Sequence, residues 1–101
     1  MALKTGTYTG DGNPTQAITG VGFEPKVVMI YSQNAGVGPK GLAMRATDDV
    51  ALKSALLRLD GASSGYSYAD DLIQSFQADG FTVGTYYMNE LANVYTYIAL
   101  G

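Results

Sequence analysis

The sequence predicts an all-β fold, an antiparallel β-sandwich of about six to eight short strands with room for one short helix. Three observations predict it. Thirteen glycines and eight tyrosines occur in 101 residues beside many Thr and Val, the composition of strands joined by tight turns. Turn-forming clusters recur at intervals of roughly 8 to 12 residues, the spacing of sandwich strands. No segment has linker composition, low complexity or a solenoid-length repeat, so residues 1–101 read as a single domain.

Taken in order, Leu3 to Thr9 reads as the first strand. Asp-Gly and Asn-Pro pairs in Gly10-Asp11-Gly12-Asn13-Pro14 then turn the chain, and Thr15 to Val21 is expected to return beside it as a hairpin partner. Within Gly22-Phe23-Glu24-Pro25, Pro25 has no N–H for a ladder and biases Glu24 toward extended backbone, which makes a bend. Lys26-Val27-Val28-Met29-Ile30-Tyr31 is apolar at five consecutive positions, as expected of a strand covered on both faces, and belongs at the centre of a sheet. Gly36-Val37-Gly38-Pro39 ends it, and Gly41 to Thr47 is a further candidate strand.

Asp48 to Leu59 supports two readings. Leu52, Ala55, Leu56 and Leu59 fall on one helical face, with Thr47 or Asp48 to cap and Arg58 in the last turn, so a short helix is expected. Val50-Ala51-Leu52 and Leu56-Leu57 would equally satisfy a strand and loop. Beyond the loop Ala62-Ser63-Ser64-Gly65 the pattern is β again. Leu72 to Gln77 alternates, Ala78-Asp79-Gly80 turns, and Phe81-Thr82-Val83-Gly84 returns as a hairpin. Val94 to Leu100 makes a closing strand with Tyr95 and Tyr97 on one face and Val94, Thr96, Ile98 and Leu100 on the other.

Composition removes several function classes. The net charge is −3 and the six Lys and Arg are scattered singly, so no basic field gathers phosphates, and neither nucleic acid nor an anionic membrane surface is an expected partner. No apolar run approaches the roughly 20 residues of a membrane-crossing helix. Met1-Ala2-Leu3-Lys4 runs into patterned sequence without the apolar stretch of a secretory leader, so folding in a cytoplasm is expected. Cysteine is absent, which excludes disulfides and thiolate metal sites.

Histidine is absent as well, which removes the usual general base near neutral pH along with the commonest metal ligand. Asp48 with Asp49, Asp70 with Asp71, and Lys53 with Ser54 remain as catalytic candidates, but neighbours on a strand point to opposite faces. The expectation is a protein without catalytic, cofactor or metal residues. Asp70, Asp71, Asp79 and the Asp11-Gly12-Asn13 turn supply oxygens that calcium uses, yet at no established loop spacing, so turn capping is the expected role. No glycine-rich segment has the strand-to-helix setting of a phosphate cradle.

Tyrosine is the distinctive residue, with eight against three Phe. Its flat apolar ring with a polar tip suits subunit interfaces and sugar-stacking platforms alike. Tyr95 and Tyr97 are expected at a subunit interface, with the domain core and carbohydrate contact as alternatives, and Tyr86 and Tyr87 as an exposed contact patch. On that reading, Tyr95→Ala weakens assembly more than it weakens the fold.

Three pieces of the chain carry a family resemblance: Gly6-Thr7-Tyr8-Thr9-Gly10-Asp11-Gly12 with Ile18 and Gly22-Phe23-Glu24-Pro25-Lys26-Val27-Val28-Met29-Ile30; Ile73 to Gly84; and Asn93 with Tyr95-Thr96-Tyr97-Ile98-Ala99. Together they resemble a small β-sandwich domain of tailed-bacteriophage virion proteins, in tail fibres and other surface appendages. In outline they are also similar to H-type lectins, which are trimeric sandwiches that bind sugars between subunits. Asp48 to Tyr68 lies outside the resemblance, and no sugar-contacting residue carries over. The resemblance implies a virion structural protein with threefold assembly. Since no fibre shaft or attachment segment is seen in these residues, the expectation is a capsid decoration (cement) protein, a homotrimer on the virion surface bound to the major capsid protein. The alternative is a receptor- or glycan-binding tail appendage whose partner is a host-surface glycan.

Overall fold

The alternation resolves into nine strands in a computed structural model, which describes residues 2–32, 41–46, 54–58, 65–69, 72–84 and 88–101. They are β1 (Leu3–Thr9), β2 (Thr15–Ile18), β3 (Val27–Ser32), β4 (Gly41–Arg45), β5 (Ser54–Arg58), β6 (Gly65–Ala69), β7 (Ile73–Gln77), β8 (Gly80–Gly84) and β9 (Val94–Leu100). Every pairing is antiparallel. A six-stranded sheet has the order β1-β9-β3-β4-β5-β6 and a three-stranded sheet the order β2-β8-β7. The two sheets pack face to face over one apolar core, the expected β-sandwich.

Three expectations are corrected. Among the described residues there is no helix, and the second half of the stretch expected to be helical is β5, hydrogen-bonded between β4 and β6. Ladder partners on both sides outweigh a marginal helical stripe, because a helix this short is unstable without docking of its own. Second, β2 does not return beside β1. It pairs with β8 in the smaller sheet, so Ile18 lies opposite Phe81 in the core while β1 takes β9 as its neighbour. The five-residue connection from Gly10 to Pro14 is a crossing between sheets and not a tight hairpin turn. Third, β3 is central, between β9 and β4, but covered on one face only: Val28 and Ile30 are buried whereas Tyr31 is exposed.

The hairpin β7–β8 forms as its turn chemistry predicts, with a bulge between Ile73 and Ser75. Gly80 is required there by space. A Cβ on it would lie 1.8 Å from the Ile18 carbonyl oxygen, so β2 and the hairpin can approach only over a bare backbone.

Candidate interaction surface

The core is built from the inward face of the large sheet. Cross-strand register aligns Tyr8 with Tyr95, Gly6 with Tyr97, Tyr97 with Ile30, and Ile30 with Ala43. The Tyr8 and Tyr95 rings stack at 5.0 Å, while Phe81 of the small sheet meets Tyr97 edge-on at 5.1 Å and Tyr8 at 6.4 Å. Such offset and edge contacts suit the ring quadrupoles. The Tyr8 hydroxyl donates to the Met88 carbonyl at 2.8 Å, and the Glu90 N–H donates to the Tyr95 hydroxyl at 3.0 Å. Burial raises the pKa of Tyr8, Tyr95 and Tyr97, so all three rings stay neutral at physiological pH.

Tyr95 is fully buried and Tyr97 is 4% exposed, so neither lies on the surface where subunit packing was expected. They fill the sandwich core, because alternation along β9 sends Tyr95, Tyr97 and Ala99 inward between the sheets. Tyr86 and Tyr87, the other expected interface residues, lie outside the described residues, as do Asp48, Asp49, Lys53, Asp70 and Asp71.

Polar side chains join the elements, among them Arg45 and Asn89, to which the sequence assigned no role. Arg45 is buried, donates from one guanidinium nitrogen to the carbonyls of Ile73 and Gln74 at 2.9 and 2.8 Å, and lies 5.8 Å from the centre of the Phe76 ring. It ties β4 to β7 across the sheets by charge-assisted bonds. Asp79 accepts the N–H groups of Gly20 and Gly22, one on each carboxylate oxygen, and those bonds lower its pKa. Both glycines have positive φ, the left-handed backbone that glycine adopts without a Cβ penalty.

At the opposite turn Asn89 does similar work. Its side chain donates to Asp11 and to the Asn13 carbonyl and accepts the Asp11 N–H. Asp11 also accepts the Asn13 N–H, the main cause of its lowered pKa, with the Asn89 contact adding to it. Asp11 and Asp79 therefore spend their oxygens on turns. Among the described residues no three His, Cys, Asp or Glu converge as a metal site would need.

The remaining surface with a marked character is the outward face of the large sheet. Register aligns Leu3, Leu100 and Val27 in one row; Thr5, Ile98, Met29 and Met44 in the next; then Thr7, Thr96, Tyr31 and Leu42; and finally Thr9 and Val94. None of these is charged. Leu3 is 64% exposed and Tyr31, Met44 and Val94 are exposed too. An uncharged sheet face that exposes large apolar side chains is a candidate interaction surface. Sequence alternation grouped Val94, Thr96, Ile98 and Leu100 on one side of β9, but that this side is outward, and the rows it joins, needed the β1-β9-β3-β4 order.

No curated protein and no solved structure matches this chain. A family model matches residues 2–100, almost the whole length. By that match the chain belongs to the DUF7483 family, described as a domain of unknown function.

Proposed function

We propose that this protein is a non-catalytic bacteriophage virion structural protein, a capsid decoration protein that assembles as a homotrimer on the virion surface and contacts the major capsid protein. The observation that carries the assembly part is the uncharged outer face that β1, β9, β3 and β4 present. The virion part rests on the sequence resemblance. A standard interface takes about 800 Å² from each partner, about 15% of the 5266 Å² this protomer exposes. Burying apolar surface there contributes roughly 25 cal/mol per Å² before the costs of association. Many copies on a shell then multiply modest contacts into avidity.

The test joins solution mass with capsid binding. Threefold assembly, as trimers or as pairs of trimers, and binding to empty phage capsids are expected, with Met29→Glu reducing both. A monomer at micromolar concentration that ignores capsids would overturn the proposal. The glycan-binding tail appendage is the second reading, and Tyr31, exposed among apolar neighbours, is the feature that favours it. Sugar-dependent change in tyrosine fluorescence, lost in Tyr31→Ala, would select it.

A further inference from the structure

We propose that the free edge of β1 pairs antiparallel with β1 of a second copy across a two-fold axis at Gly6, joining two six-stranded sheets into one. This goes beyond the threefold reading and stands whether or not the protein is a virion component. Sheet edges are commonly blunted by brevity, bulges or proline. β2 has four residues, and β7 carries the bulge at Ile73 and Ser75. β1 has seven residues, an unbroken register with β9, no proline and a single charge, Lys4.

The outward backbone groups are fixed by parity. Ala2 and Gly101 exchange both backbone bonds, and Gly10 donates to Asn93, so the even residues of β1 bond to β9. Leu3, Thr5, Thr7 and Thr9 therefore aim their N–H and C=O groups at the open edge, and all four are exposed. A second copy placed about Gly6 pairs Leu3 with Thr9 and Thr5 with Thr7, leaving none of these groups unpaired. Each pair exchanges two bonds.

Lys4 selects this register. Here it faces Tyr8 of the second copy, whereas the register centred on Lys4 opposes two like charges. On the outer face, exposed Leu3 gains Thr9 and then Val94 of the second copy as row neighbours, so the apolar face continues across the seam.

Sedimentation velocity on the full chain tests it with Thr7→Pro. The Thr7 N–H points to the open edge, so proline removes no ladder bond within the protomer. The expected result is that Thr7→Pro halves the assembly mass, whereas Met29→Glu, away from the edge, leaves the two-fold unit and removes only a threefold. Since the chain has no cysteine, oxidation gives a second readout that needs no proline. A mixture of Thr5→Cys and Thr7→Cys proteins should link covalently while neither does alone. Unchanged mass in folded Thr7→Pro, an unlinked mixture, or linkage by either variant alone would overturn the pairing.

Discussion

The two sheets turn different outer faces to the surroundings. On the small sheet, Gln77 donates to Ser75 at 2.6 Å and accepts from Thr82 at 2.9 Å, so its outer polar groups satisfy one another beside water. The large sheet presents Leu, Ile, Met, Val and Tyr between threonines. Neither face is charged, so charge alone does not separate them. The difference is that one surface is complete as it stands and the other gains by being covered, which is why assembly is assigned to the large sheet.

The largest expected effect bears on where the large sheet's aromatic residues act. Tyr95→Ala should cost about 3–5 kcal/mol of folding stability in urea denaturation, the range for emptying an aromatic core site. Lost assembly with unchanged stability would return Tyr95 to an interface and break the distinction between inner and outer faces. Tyr8→Phe should cost about 1–3 kcal/mol, because the buried Met88 carbonyl loses its 2.8 Å donor.

A direct comparison of the faces comes from one charge on each. Met29→Glu and Thr82→Glu should each cost about 0.5–2 kcal/mol of monomer stability, since both positions are half-buried and Thr82 loses its bond to Gln77. Light scattering should nevertheless show Met29→Glu losing the threefold assembly and Thr82→Glu leaving it intact. Equal effects would erase the contrast.

The smallest expected effect is a pH dependence at the turns. The folded pKa of Asp79 is depressed by its bonds to Gly20 and Gly22, so its contribution is fully present above the unfolded carboxylate value of about 3.9. It is lost as pH falls below that value through the folded pKa. Asp11 acts in the same direction. Thermal melts should therefore be level near neutrality and decline on the acid side, with a shallower decline for Asp79→Asn.

Much of the fold was legible because it depends on local chemistry. Strand β1, the β7–β8 hairpin and the alternation of β9 follow from side-chain period and turn residues in Leu3 to Thr9, Ile73 to Gly84 and Val94 to Leu100. The candidate surface was legible only by half. The two faces of β9 could be separated from the chain, but which of them is inside, and so the place of Tyr95 and Tyr97, required knowing what stood opposite them. Asn89 and Arg45 gave no local signal at all, since their partners lie 76 or more and 28 or more positions away.

The chain by itself determined that this is a cysteine-free, histidine-free, low-charge β domain with Tyr95 and Tyr97 on a common side of its last strand. Tertiary structure decided which side of that strand is inside. A period of two separates two faces without ranking them, and only the second sheet, bringing Phe81 against Tyr97, makes one of them the core. It also decided that β1 borders solvent, because strand order is set by long-range pairing that no local pattern encodes.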